Sequence, residues 1–360
     1  WGGGDIMFCG STLYFEDIQL TSNLNLDWQK LSGTTILISG ASGLIGSFLV
    51  DVIMYRNAHY NQHCKIYALG RSMNKAQERF SEYMNDECFR FISHDINTPL
   101  KDITGTFDYV LHLASNTHPA DYSADPVGTI TTNIIGLNNL LQFAHEHGTR
   151  RFLFASSVEV YGDNRGDTEF FREDYCGNID ISRARSGYPE AKRCGETLCL
   201  SYLQQYGLDT VIPRLPRTYG PTMLMTDSKA IAQFIRKGVM RENIVLKSEG
   251  TQLYSYAYEA DSVSGLLKVL LDGKSGEAYN IADEKSDITL RALAELIADY
   301  SGSKVVFELP EESERRGYSM AVKARLDSSK LKAVGWTAHY DIETGIKRTI
   351  DILRETSSHH

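Results

Sequence analysis

Short stretches of consecutive apolar, β-favouring residues alternate with helical segments through the first 215 residues. Six strands are predicted in this way, at residues 36–38, 65–69, 89–92, 109–113, 151–155 and 210–214, with helices that include residues 47–54, 128–147 and 188–206. Strands that are apolar throughout and alternate with helices are typical of a parallel sheet covered on both faces. The pattern therefore predicts an α/β fold, built on a doubly wound parallel sheet of the Rossmann type.

The alternation becomes less regular after residue 215, where loops contain Pro216, Gly220 and Pro221. The later segments predict helices near 228–240, 289–300 and 342–354, and strands at 244–246 and 304–308, whereas residues 261–272 and 279–281 look like a return to the first domain. We therefore expect three parts. They are an N-terminal arm (1–33), a dinucleotide-binding domain (34–215, completed by 255–282) and a smaller C-terminal α/β substrate lobe (216–254 and 283–356).

The first predicted strand runs into a glycine-rich turn, GASGLIG, at residues 40–46. Gly40 permits a sharp turn, Gly43 lets the backbone approach a pyrophosphate, and Gly46 lets the following helix lie close to the sheet. Free N–H groups at the start of that helix then face the phosphates. A glycine-rich turn without a ligand is the alternative, and the motifs further along the chain favour the dinucleotide.

The composition and net charge of the chain argue against several kinds of binding partner. The 360 residues are 42% hydrophobic and 23% charged, as in an ordinary globular protein, and the net charge of −9 argues against a nucleic acid or an anionic membrane as the main partner. The six cysteines show no paired or ligand-like spacing, and no apolar run is long enough to span a bilayer. We therefore expect a cytoplasmic protein without a metal site.

Five motifs follow one another in a characteristic order. They are GASGLIG (40–46), LHLAS (111–115), SSVEVYG (156–162), YPEAK (188–192) and RLPRTYGP (214–221). Together they resemble the extended short-chain dehydrogenases/reductases that act on nucleotide sugars as epimerases, dehydratases or decarboxylases. Longer stretches resemble the UDP-glucuronate decarboxylase (UDP-xylose synthase) branch of that family, at residues 114–122, 125–126, 132–136, 173–177 and 185–188.

Tyr188 and Lys192 are four residues apart on a predicted helix and so lie on one face of it. A nearby ammonium group and a cationic nicotinamide would favour the phenolate and make Tyr188 a usable base. A tyrosine and a lysine on the surface of an amphipathic helix are the alternative. The glycine-rich turn and the motif order favour the catalytic interpretation.

The resemblance implies two further catalytic residues, Ser157 and Glu159. Ser157 would hydrogen-bond the sugar oxygen that is oxidised, and Glu159 would act on C5 or assist decarboxylation. The neighbouring Val158 departs from the family, since the resembled dehydratases have Asp there and the decarboxylase has Ser.

The resemblance also assigns cofactor and substrate contacts. The cofactor would be NAD, although Gly70 and Arg71 at the end of the second strand also permit NADP. The residues expected to bind the cofactor are Gly40, Ser42, Gly43, Leu44, Ile45, Gly46, Arg71, Asp95, Ile96, Leu113, Ala114, Ser115, Tyr188 and Lys192. The residues expected to bind the substrate are Arg185, Arg217 and Tyr254, with Arg315 and Arg316 as further candidates. Arg217 replaces a usual Asn, and Tyr254 stands where an Arg commonly meets a phosphate.

The sequence thus predicts an NAD-dependent enzyme that modifies a nucleotide sugar through a transient 4-keto sugar, as a UDP-glucuronate decarboxylase does. A 4-epimerase or a 4,6-dehydratase is the alternative within the family, and a non-catalytic dinucleotide-sensing module is an alternative of another class. By analogy with the resembled enzymes, we expect a homodimer that pairs through helices 128–147 and 188–206 in a four-helix bundle.

Overall fold

The computed structural model describes residues 11–115, 124–224, 226–308 and 322–357. In chain order, its strands are β1 (Thr35–Ser39), β2 (Lys65–Gly70), β3 (Phe89–Ser93), β4 (Tyr109–His112), β5 (Arg151–Phe154), β6 (Ser156–Ser157), β7 (Thr210–Leu215), β8 (Arg217–Tyr219), β9 (Ile244–Leu246), β10 (Leu253–Tyr258), β11 (Ala278–Asn280), β12 (Asp287–Thr289), β13 (Val305–Phe307) and β14 (Lys323–Ala324). Its α-helices are α1 (Thr12–Ser22), α2 (Leu44–Tyr60), α3 (Met73–Arg79), α4 (Pro126–Thr131), α5 (Leu137–Glu146), α6 (Gly187–Tyr206), α7 (Ala230–Val239), α8 (Glu259–Asp272), α9 (Leu290–Ser301), α10 (Ser329–Ala333) and α11 (Ile342–Ser357).

The main sheet is parallel throughout, in the order β3-β2-β1-β4-β5-β7-β11, with β6 paired to β7. The strand order reverses between β1 and β4, and open sheets of this kind bind ligands outside the carboxyl ends of the strands at such a point. The predicted α/β fold with a doubly wound parallel sheet is confirmed.

Strand β1 is buried on both of its faces. Leu37 belongs to one buried cluster, whereas Ile36 and Ile38 belong to the other. Successive side chains of a strand point to opposite faces, so both faces of β1 are covered. Continuous apolar strands are the expected result.

The predicted helix at 128–147 is instead two α-helices, α4 and α5, joined by a π-helical turn at Thr132–Gly136. Helix α4 begins at Pro126, where the side chain of Asp125 accepts a hydrogen bond from Gly128 N at 2.9 Å. The helical backbone continues through this turn, so the predicted helical segment is confirmed, with a π turn that was not predicted inside it. A single π turn adds one residue without changing the apolar composition, so periodicity does not reveal it.

A smaller sheet follows the main one, and its centre is β10. This strand pairs in parallel with β8 and β14 and antiparallel with β12, while β9 and β13 form a separate parallel pair. The sequence analysis did not identify β10 as a strand, although Tyr254, Tyr256 and Tyr258 alternate along it.

The N-terminal segment contains α1, which contacts both α2 and the C-terminal elements. Tyr14 donates to Asp51 of α2 at 2.5 Å. The fully buried Asp17 accepts from Tyr258 at 2.6 Å, from Tyr340 at 2.5 Å and from Arg348 at 2.9 Å. These contacts join α1 to β10, to Tyr340 and to α11.

Candidate functional site

The turn between β1 and α2 has the geometry of a phosphate cradle. Gly40 has φ of +75°, and a Cβ there would lie 2.6 Å from the backbone nitrogen of Ala114. A Cβ on Gly46 would lie 2.3 Å from the carbonyl oxygen of Gly40. Gly43 is the N-cap of α2 and supplies no side-chain cap, which leaves N–H groups at the helix start for a ligand. These residues fit a dinucleotide diphosphate.

The other residues expected to contact the cofactor follow the carboxyl ends of neighbouring parallel strands. Arg71 follows β2 and is exposed, Asp95 follows β3 and is exposed, and Ile96 is buried. Leu113, Ala114 and Ser115 follow β4, beside Ser42, Leu44 and Ile45 in the turn after β1, and all six are partly buried. Because the strands are parallel, these segments lie along one edge of the sheet.

Tyr188 lies near the start of α6 with 5% of its surface exposed. Burial raises the pKa of its phenol, and side-chain hydrogen bonds with Ser157 and Ser115 oppose that rise. Loss of hydration outweighs the nearby donors here, and the prediction that an ammonium group and a cationic nicotinamide together favour the phenolate stays a prediction.

Ser157 lies at the end of β6 and is distinguished from its neighbour by its contacts. The Ser157 hydroxyl accepts from Glu159 N at 3.3 Å and bonds Tyr188, whereas Ser156 donates to Glu196 at 2.5 Å. Ser115 also donates to Asn133 of the π-helical turn at 3.1 Å. The sequence analysis missed Asn133, whose position depends on that turn.

Lys192 is 3% exposed, and its ammonium group donates to the carbonyl oxygen of Ala155 at 2.9 Å. It lies 5.7 Å from the centre of the Tyr188 ring. Burial lowers the pKa of Lys192 to about 7, against the opposing influence of the Glu196 carboxylate. Lys192 is therefore held on the Tyr188 side of α6 by the backbone that follows β5.

Glu159 lies between two arginines that the sequence places far from it. Arg185 Nη2 is 3.3 Å from Glu159 Oε2, and Arg217 Nη2 is 3.8 Å from Oε1. The Arg217 guanidinium stacks 3.5 Å from the ring centre of Tyr254, which is buried in β10. Arg185 Nε and Arg217 Nη1 are buried without a hydrogen-bond partner in the described part of the chain. Asp163, Asp180 and Arg183 line the same cleft, so its acidic and basic side chains balance, but the two guanidinium groups beside Glu159 still offer N–H donors to an anionic ligand.

These residues line a cleft beside Tyr188. Its walls include Val158, Glu159, Arg185, Ser186, Pro189 and Arg217. Tyr254 lies beneath Arg217 and supports it. Arg315, Arg316 and the resemblance at residues 116–122 lie outside the described residues, and Val158 is buried and apolar.

A sequence model of the NAD dependent epimerase/dehydratase family matches residues 36–282. The chain is 33% identical over 316 residues to UDP-glucuronic acid decarboxylase 3 of Arabidopsis thaliana, covering 86% of each protein. The chain belongs to the NAD dependent epimerase/dehydratase family. Membership confirms the predicted family, an enzymatic role and NAD as the cofactor.

One further relative is similar to this chain in sequence, and two solved structures are similar to it in fold. UDP-glucuronic acid decarboxylase 1 of Xenopus tropicalis is 30% identical over 329 residues, which cover 90% of this chain and 73% of the relative. A dTDP-glucose 4,6-dehydratase double mutant from Streptomyces venezuelae, solved with NAD bound, has a TM-score of 0.77 at 24% identity and covers 90% of this chain and 98% of its own. A UDP-glucuronic acid 4-epimerase from Bacillus cereus, in complex with UDP-glucuronic acid and NAD, has a TM-score of 0.75 at 23% identity and covers 89% and 99%. Within the described residues, no helix has the length and apolar character needed to cross a membrane.

Proposed function

We propose that this enzyme is an NAD-dependent decarboxylase of a nucleotide-linked uronic acid, with UDP-glucuronate as the expected substrate. The observation that carries this proposal is the Glu159 carboxylate between Arg185 and Arg217, beside the Tyr188 phenol. Such a cleft offers cations for an acidic sugar and a phenol for its hydroxyl group. The printed names of the relatives agree with this substrate.

Bound NAD supplies reversible oxidation at C4 of the sugar. The positive charge of the nicotinamide would favour the phenolate of Tyr188. The phenolate oxygen takes the proton of the C4 hydroxyl group, and Ser157 holds that oxygen in line through a hydrogen bond. Lys192 is anchored at Ala155 and places its amino group on the Tyr188 side of the helix. Orientation of the sugar supplies most of the rate gain.

The cleft residues act on the other end of the sugar. A 4-keto uronate is a β-keto acid and loses carbon dioxide readily, and Arg185 and Arg217 hold the substrate carboxylate until then. Loss of carbon dioxide leaves an enolate over C4 and C5, which takes up a proton from solvent at C5, and Glu159 is proposed to assist the decarboxylation from beside C5. The cofactor is proposed to bind the glycine-rich turn and residues 71, 95–96 and 113–115. Tyr254 holds Arg217 in place for the substrate.

Product analysis tests the reaction. The purified protein is incubated with UDP-glucuronate and NAD, and carbon dioxide and the sugar nucleotides are measured by mass spectrometry. Loss of one carbon dioxide per sugar supports the decarboxylase. A product of unchanged mass would indicate the 4-epimerase and would contradict decarboxylation. Loss of water from a UDP- or dTDP-hexose alone would indicate the dehydratase, and no turnover of any nucleotide sugar would favour the sensing module.

We also propose a homodimer that pairs through α4, α5 and α6. Apolar side chains on these helices and the turn between α4 and α5 are exposed, among them Val127, Ile135 and Leu200. An apolar face shared by neighbouring helices suits a second copy of the same face. Light scattering of the wild type and of Leu200→Glu tests this, with a monomeric wild type as the contradicting result.

The scattered cysteines support a cytoplasmic location.

A further inference from the structure

A second glutamate, Glu259, lies near the glycine-rich turn. Glu259, the first residue of α8, is completely buried. Its Oε2 lies 2.5 Å from Thr222 Oγ1 and 3.3 Å from Thr222 N. Its Oε1 has no hydrogen-bond partner among the described residues. A bare carboxylate in this position would be costly.

The hydrogen bonds of Thr222 indicate whether Glu259 is neutral or ionised. Thr222 Oγ1 lies 2.8 Å from the carbonyl oxygen of Leu44, and a carbonyl oxygen can only accept. A hydroxyl group carries one proton, so if Thr222 donates it to Leu44, the proton in the 2.5 Å contact must come from Glu259. The reverse arrangement leaves an ionised carboxylate with a buried, unpartnered oxygen among the described residues, and of the nearby charges Asp17 opposes ionisation while Arg79 favours it. Burial also raises the pKa of Glu259 well above its usual value.

Glu259 is thus a neutral acid at the start of a three-member chain that runs through Thr222 to Leu44. Leu44 is the first residue of α2, inside the glycine-rich turn. The backbone packs directly on the acid, since a Cβ on Gly220 would lie 2.3 Å from Glu259 Oε2. We propose that Glu259 and Thr222 are positioning residues that hold the start of α2 in place for NAD. The proposal rests on NAD binding at this turn and not on the sugar reaction.

Calorimetric titration of the full chain with NAD tests the proposal. Thr222→Val and Glu259→Ala should each weaken NAD binding about fivefold, the equivalent of one net hydrogen bond. Glu259→Gln keeps a donor of similar shape, and Thr222→Ser keeps the hydroxyl, so both should stay within about twofold of the wild type.

Thr349→Val is the matched control. Thr349 is also buried and donates to the carbonyl oxygen of Gly345 at 2.7 Å, but within α11. It should alter stability without altering NAD affinity. If Glu259→Ala does not fold, the Thr222→Val and Thr222→Ser pair decides.

Wild-type affinity in a folded Thr222→Val would overturn the proposal, as would a Glu259→Gln protein that binds NAD as weakly as Glu259→Ala. A wild-type chain that does not bind NAD would overturn the proposed function as well. Unchanged affinity in the variants overturns this inference alone.

Discussion

Replacing Lys192 with methionine should change how stability depends on pH. In the folded protein, burial lowers the pKa of Lys192 to about 7, from an ordinary value of 10.5 in the unfolded chain. Between these two values the unfolded chain binds more protons, so the free energy of unfolding rises with pH. Integrated from pH 7 to pH 9, at about 1.4 kcal/mol per pH unit once the folded form is neutral, the gain is about 2 kcal/mol.

Urea unfolding of the wild type and Lys192→Met at pH 7 and pH 9 measures this effect. Methionine has a similar length and no titrating group, so the other ionisable groups largely cancel in the difference. The wild type should gain about 2 kcal/mol relative to the variant over this range. A difference that stays constant would mean that the folded protein keeps Lys192 charged, and would refute the argument from burial.

Two further substitutions test the fold and the cleft. Asp17→Asn leaves Arg348 without its buried carboxylate partner and should lower the free energy of unfolding, measured in urea, by about 3 kcal/mol. As a control, Glu343→Gln breaks an exposed pair with Lys347 and should lower it by less than about 0.5 kcal/mol. Arg217→Gln removes a guanidinium group from the cleft and should raise KM for UDP-glucuronate about tenfold, with Arg217→Lys intermediate because lysine keeps the charge but not the planar fork. An unchanged KM in Arg217→Gln would exclude a role for this residue in substrate binding.

The main sheet was predictable because its strands are locally encoded. Apart from the two-residue β6, the strands of the first 215 residues, the turn at Gly40 and the helix carrying Tyr188 each follow from a short stretch of sequence. Parallel strands buried on both faces need continuous apolar runs, and few other structures produce that pattern.

The rest depends on contacts between distant segments. The π-helical turn at Thr132–Gly136 adds one residue inside an otherwise regular helix, and β10 becomes a strand because β8, β12 and β14 pair with it. Arg185 and Arg217 meet at Glu159 only after α6 and β8 have packed. The proton on Glu259 likewise depends on complete burial, which no local pattern reports.

The most direct test of the account compares turnover of UDP-glucuronate by the wild type and Tyr188→Phe, with NAD binding measured on the same samples. Phenylalanine preserves the shape of the ring and removes only the oxygen that accepts the proton of the C4 hydroxyl group. We expect turnover to fall about 10²- to 10⁴-fold while NAD affinity stays within about twofold. A Tyr188→Phe protein that binds NAD and still turns over at the wild-type rate would contradict the account.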